Sequence, residues 1–454
     1  MVLMVACQTT APAPTPTPSS TPPPTIINSD TTDSGRYPAG TEIRFLQWNH
    51  FVPQYDKWFD PFVTAWGDEV GVQTSIEHIP LTELSSRLQT AIIAGEGPTL
   101  VELIIAASVH VEGVHDLTDL NLQAQEQFGE QVSTCHANSY LPTTGQYYGY
   151  CVAWAPDPGN YNINLWTEAG FPDGPQSWED LLVGGQTIRD THGIGVGLGI
   201  SPEMDSEMAQ RAILWSFGAS VQDENENVVI NSPETLAALE YIANLYQSSM
   251  AQDVFDWNPA TNNQELIAGN LSYILNSVSA YRSLQKIDAP AADNIGFVPA
   301  LEGPAGRYAS SHVWSIYVIP NYVQGAELEA AQEFLLHLTA NYDQATFNSE
   351  LYNFPAFPST VPQLDDWLTT DPFNSTPANK LNVLATADEW GIHLGYPGTA
   401  NPAVAEVFAQ NIITTMMRDV ATGEKTAEEA LAIAEAEINV IYDKWRQKGL
   451  IGNP

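Results

Sequence analysis

Twelve tryptophans and eighteen tyrosines are the residues of this chain best suited to chemistry, and what they suit is holding a ligand. A flat ring covers C–H surface, and a rigid polar neighbour fixes orientation. Side chains that could carry a reaction do not assemble into a signature. Gly193-Ile194-Gly195-Val196-Gly197-Leu198-Gly199 is glycine-rich but lacks the Lys-Ser/Thr end of a phosphate loop, and its alternation reads as a thin strand. The nine histidines include no H-E-x-x-H, and the three cysteines no C-x-x-C. No G-x-S-x-G elbow occurs. Asp365-Asp366 and Glu428-Glu429 are adjacent residues whose side chains point apart, as in a solvated loop and a helix N-terminus. The expectation is a binding protein with no catalytic residue, no cofactor and no metal.

Composition narrows the partners. The chain of 454 residues carries 54 acidic and only 15 basic residues, a net charge of −39. Charged residues make up 15% of the chain, against roughly 25% in typical soluble domains, so it is base-poor rather than acid-rich. Such a field repels nucleic acid and anionic lipid. No run of 18 apolar residues is present to span a membrane. Cys7 follows Met4-Val5-Ala6 and resembles the end of a bacterial lipobox, with Met1 lying inside a longer signal. Residues 8–40 are rich in Pro, Thr and Ser and cannot bury a core. Extended as polyproline II, they reach on the order of 100 Å at ~3.1 Å per residue, which suits a tether. Cys135 and Cys151 form an even pair for an oxidising compartment. A bridge between them contributes about 3 kcal/mol in the chain-entropy model; two buried thiols are the alternative.

Globular sequence begins at Thr41. A strand at 43–46 runs into Gln47-Trp48-Asn49-His50, and Tyr55, Phe59, Phe62, Val63 and Trp66 then keep helical spacing. A strand at 72–79, a helix through Leu84, Leu88, Ala91 and Ile92, and a strand at 100–105 follow. This β-α-β-α-β rhythm predicts a parallel sheet with right-handed crossovers, whose ligands bind beyond the C-terminal strand ends. Pro156-Asp157-Pro158-Gly159 punctuates a change of direction. Ser177, Ser232-Pro233 and the Thr426/Glu429 box each open a helix. Trp58, Trp66, Trp178 and Trp445 fall on apolar helix faces and belong to packing.

A family resemblance rests on motifs that occur in order along residues 41–454. They are Tyr148-Gly149-Tyr150 with the apolar run after it, Tyr161-Asn162-Ile163-Asn164, Ala169-Gly170-Phe171-Pro172 and Ser177-Trp178-Glu179-Asp180-Leu181. Later come residues 262–276, Gly303-Pro304-Ala305-Gly306 and residues 331–336, and then the closing helix after Gly423. This resembles the extracellular solute-binding proteins of ABC importers, in the class of maltose- and oligosaccharide-binding proteins. The resemblance implies an α/β fold like that of periplasmic binding proteins: two α/β lobes with mostly parallel sheets joined by a multi-strand hinge. Residues 41–156 and 298–352 are expected in lobe one, and 157–297 and 353–454 in lobe two.

It also implies a sugar or oligosaccharide in the interlobe cleft, delivered to an ABC permease. The chain is then a monomer on the extracellular face of the membrane, held by lipid on Cys7, or in the periplasm. A non-sugar solute, or a surface glycosidase, are the rival readings. In such proteins Trp48, Asn49 and His50 open onto the cleft, Tyr281 matches a stacking aromatic, and His312 and Trp314 lie on the returning segment. Trp154, Trp215, Trp257 and Tyr396 are further aromatic candidates; Glu102 and Asn276 join Asn49 as polar ones. The sequence departs from the family pattern at Thr99, where an aspartate is usual, and at Ser310-Ser311, where glycines are usual.

Overall fold

The computed structural model describes residues 36–452 except residue 106. Cys7 and most of the Pro/Thr-rich stretch lie outside the described residues. Two sheets organise the rest. The six-stranded sheet has the order Phe354–Pro355, Tyr150–Ala155, Val313–Val318, Leu100–Leu103, Glu42–Trp48, Gln73–Ile79. The four-stranded sheet has the order Ile295–Val298, Gly159–Asn162, Leu271–Leu275, Gly195–Gly197. Parallel pairing holds where the β-α-β-α-β rhythm predicts it, Glu42–Trp48 lying beside both Gln73–Ile79 and Leu100–Leu103. Strands that arrive from the other lobe have no helical crossover to reverse them, so they pair antiparallel. Val313–Val318 does so with both of its neighbours.

Helix boundaries follow the caps. Ser177 and Asp180 form a capping box, as do Thr426 and Glu429, and Ser232 accepts from the Thr235 N–H with Pro233 in the first turn. The apolar faces behind these caps build two cores. One gathers Phe45, Phe59, Trp314 and Phe334 against the six-stranded sheet. The other gathers Trp166, Leu239, Tyr273 and Ile438 against the four-stranded sheet.

Residues 353–400, assigned above to lobe two, pack instead with lobe one. Phe354–Pro355 pairs with Tyr150–Ala155, and Phe357, Leu368, Leu384, Trp390 and Leu394 join the first core. Crossings at 155–159 and 298–309 link the sheets, and a third segment, 394–403, enters the second core. At the first, a Cβ on Gly159 would lie 2.5 Å from the Tyr273 ring, so only glycine admits this approach. The helix Pro402–Ala409 lies between the cores, giving Ala405 and Phe408 to one and Ala403, Val404 and Val407 to the other. Its apolar residues face both cores, and Glu406 is left half-buried between them.

Cys135 and Cys151 are fully buried neighbours, their Sγ atoms 2.6 Å apart, and stand as thiols; the expected bridge is not formed in this structure. No helix among the described residues is long and apolar enough to cross a membrane.

A buried ion pair joins the two lobes. Arg282 of the second lobe donates to both oxygens of Asp371 (2.7 and 2.9 Å) and to the Glu350 carbonyl (2.9 Å). Removing one partner of such a pair strands the other charge. Asp371→Ala is expected to lower unfolding free energy by about 3 kcal/mol, read from the urea midpoint; a change under about 0.5 kcal/mol would place this pair with weak surface bridges.

Candidate functional site

Where the chain crosses between sheets, Asp157 meets His312. The Nδ1 of His312 lies 3.1 Å from an Asp157 oxygen, and both side chains are buried. Burial alone would strip the proton from His312. Asp157 outweighs it, with Asp205 and Glu203 beyond, and holds the imidazole above its ordinary value. The second lobe supplies Glu203 and Asp205 from the start of the helix Met204–Ser216. Glu203 caps that helix, accepting from the N–H groups of Asp205 (2.8 Å) and Ser206 (2.6 Å). One oxygen of Asp205 accepts from Asn262 (3.0 Å) and Asn276 (3.4 Å). Burial raises the pKa of both carboxyls; Asp205 adds to the rise at Glu203, and Asp157 to that at Asp205.

The first lobe supplies Tyr352, whose ring lies 4.8 Å from that of His50 and 6.1 Å from that of His312. Its hydroxyl is buried beside Ser277, in the field of Asp205 and Asp157. Glu102 ends the neighbourhood. It accepts from the Ser315 hydroxyl, and burial pushes its carboxyl up to about 7.

Between the lobes lies a cavity of about 280 Å³. Its walls are Leu81, Thr82, Leu84, Ser85, residues 103–105 and Val109 from one lobe, residues 202–204 from the other, and Phe408, Ala409 and Asn411 at the helix between the cores. That is near the lower end of ligand-pocket volumes, about 300–1,000 Å³. Glu203 walls this cavity and also a small closed pocket shared with Asp205, Trp257 and Asn262. A separate cavity of about 410 Å³ lies against the crossing segments and is lined by Trp215, Tyr308 and Tyr396 with Ser220 and Gln222.

The aromatic candidates do not floor the interlobe cavity. Trp48 and Trp314 are buried in the first core, and the Trp314 indole N–H donates to Thr134 (2.7 Å). Trp154 packs edge-on against Phe354 beside a smaller cavity of lobe one. Tyr281 is fully buried: its hydroxyl donates to Ser375 (2.8 Å), and the Arg282 and Lys380 cations lie 5.6 and 5.1 Å from its ring centre. Segment 371–380 thus covers the Tyr281 ring. Trp215 and Tyr396 do come together, but in the separate cavity. His50, Glu102, Asn276 and His312 lie in or beside the polar cluster, with Trp257 at its edge; Asn49 is exposed at its strand end. Sequence reasoning missed Asp157, Glu203, Asp205, Asn262, Tyr308 and Tyr352. Only Asp157 carried a signal, the two prolines around it.

With this geometry in view, similarity to known proteins becomes informative. The family described as bacterial extracellular solute-binding protein matches residues 57–376, well over half the chain. The chain belongs to this family. Its fold is shared by a maltose-bound MalE3 of T. maritima, 21% identical, covering 88% of this chain and 100% of that one with a TM-score of 0.73. A solute-binding protein of Thermotoga lettingae bound with α-D-tagatose is 17% identical over 89% of this chain and 100% of that one (TM-score 0.71). A sugar transporter of Arthrobacter chlorophenolicus with bound laminaribiose is 15% identical over 88% and 99% (TM-score 0.71). A binding protein of Brucella abortus is 23% identical over 186 residues, 40% of this chain; the chain spans 44% of that curated relative's length. At these identities the likeness to solved structures is one of fold.

Glu102 makes a measurable pH signature in this solute-binding protein. Its folded value of about 7 exceeds the ordinary 4.5, so its stabilising contribution is complete below the ordinary value. That contribution is lost as pH rises toward about 7. Glu102→Gln is therefore expected to be more stable than the parent at about pH 8, on the order of 3 kcal/mol, and nearly equal to it at about pH 4. Ligand-free thermal unfolding at the two pH values checks this; equal differences at both would exclude it.

Proposed function

We propose that this protein is the substrate-binding component of an ABC importer. It captures a sugar or short oligosaccharide between its lobes and hands it to a membrane permease without transforming it. The observation that carries the reading is the cluster itself. Tyr352 and His312 come from one lobe and Glu203, Asp205 and Asn276 from the other, so the cluster exists only with the lobes closed, and a ligand held between the lobes beside Glu203 meets both lobes only then. Such a ligand shifts the population toward closure. Family membership and the sugars named for the structural relatives support the same reading. The small cavity favours a short ligand over a long chain. The lipobox-like Cys7 and the Pro/Thr-rich stretch support a lipid-anchored monomer held away from the outer membrane surface.

A thermal-shift panel of neutral sugars, polyamines and anions tests the ligand class. A sugar at about 100 times its dissociation constant adds about 2.7 kcal/mol of stability, and small-angle scattering with that sugar should show contraction. Stabilisation by anions alone would refute the sugar assignment. Release of product from a labelled oligosaccharide would replace the importer reading with a glycosidase. A second expectation concerns the thiols. Secreted into an oxidising compartment, Cys135 and Cys151 should pair, leaving the protein two hydrogens lighter and both residues unlabelled by a thiol reagent after unfolding. Full labelling of both would show that they remain free.

A further inference from the structure

The aromatic surface that the interlobe cavity lacks is assembled elsewhere in the fold. Trp215, Tyr308 and Tyr396 wall the cavity of about 410 Å³ beside the crossing segments, and among the described residues no lysine or arginine lines it. It is larger than the interlobe cavity and falls within the range of ligand pockets, about 300–1,000 Å³. Three stretches far apart in the chain build it. Trp215 comes from the end of the helix Met204–Ser216 in the second lobe, Tyr308 from the crossing at 298–309, and Tyr396 from the third segment, 394–403.

The rings make one platform. Those of Tyr308 and Tyr396 lie 5.3 Å apart at 36°, and Trp215 backs Tyr396 edge-on at 6.5 Å. Rings this close leave no slot between them, so they do not cage a cation. Both tyrosines are half-buried and line the cavity. Their hydroxyls meet at 3.4 Å, a long contact that leaves each with capacity for a ligand's hydroxyls.

The walls are braced without filling the space. The Ser220 hydroxyl donates to the Tyr396 carbonyl (2.8 Å), and the Gln222 amide donates to the Gly395 and Thr399 carbonyls (2.8 and 2.7 Å). A Cβ on Gly306, at φ +147°, would lie 2.9 Å from the Tyr308 ring, so glycine lets that ring rest against the hairpin at 302–307. At the rim, Asp223 is fixed by the N–H groups of Asn225 (2.8 Å) and Asn227 (2.9 Å). A wall set in advance spares a ligand the cost of ordering it.

We propose that this hinge cavity is a second carbohydrate site, taking a neutral mono- or disaccharide. Its C–H face would lie on Tyr308 and Tyr396, with its hydroxyls toward the two phenols and Asp223. Aromatic faces cover C–H surface, and phenols and a carboxylate accept hydroxyl protons. An anion would find no counter-charge here. The inference goes beyond the interlobe reading and stands independently of it.

Equilibrium dialysis of the full chain with labelled maltose, laminaribiose, cellobiose and D-tagatose, and with labelled choline as a cationic probe, tests this. Two variants separate the sites. Tyr396→Ala removes half of the platform, and Ser85→Trp places an indole in the interlobe cavity, which Ser85 lines. At least one saccharide should bind at two per chain in the parent and at one in Tyr396→Ala. It should still bind Ser85→Trp, and adding Tyr396→Ala to that variant should weaken it ten-fold or more. Tyr308→Ala serves if Tyr396→Ala unfolds. One saccharide per chain, lost in Ser85→Trp and unchanged in Tyr396→Ala, would overturn the hinge site and leave the interlobe reading standing. One per chain, kept in Ser85→Trp and lost in Tyr396→Ala, would uphold the hinge site and remove the interlobe one. Choline binding in place of every saccharide, or no saccharide bound, would overturn both.

Discussion

The Asp157–His312 contact is the interaction on which the two-lobed arrangement turns. Asp157 sits in the crossing that leaves the first sheet, and His312 sits just before the strand that returns to it. The His312 N–H also donates to the Ala155 carbonyl at 2.8 Å, so side chain and backbone tie the outgoing and incoming chains together. A buried charge is tolerated only when paired, and pairing here fixes the crossing where a hinge must bend without coming apart. Around it the protein places its other costly groups: Glu203, Asp205, Tyr352 and Glu102 all lie within the field of this pair or of one another.

This concentration explains why the aromatics are elsewhere. Two cores of this size absorb large rings, and Trp48, Trp154 and Trp314 serve the sheet that holds them. Tyr281 is taken by a local system of its own, between Arg282 and Lys380 and under Ser375. The Arg282–Asp371 pair holds segment 371–380 against the helix carrying Tyr281. The space left between the lobes is modest and largely apolar, with Glu203 on one wall.

The net charge has a corresponding local meaning. Twelve of the sixteen ion pairs among the described residues involve Lys or Arg, and Arg211 and Arg282 are spent on fully buried pairs inside the fold. The interlobe carboxyls are left with a histidine and with each other.

Periodicity and capping made the architecture legible. The alternation of strands and helices over 41–105, the Ser177, Ser232 and Thr426 caps, and the prolines around Asp157 are local signals, because a helix end or a turn is decided by a few neighbouring residues. The long proline-rich return after Tyr352 was misassigned because its partner, the strand Tyr150–Ala155, is some two hundred residues away, and strand pairing leaves little trace in local sequence. The same limit applied to the site. Asp205 and Glu203 look like ordinary first-turn acids, and Tyr352 like any core tyrosine. What makes them a site is that two lobes, each discontinuous in the chain, bring them within reach of His312 and Asp157. Composition and periodicity determined the kind of fold; only the tertiary packing decided which polar groups were left without partners, because that depends on everything surrounding them.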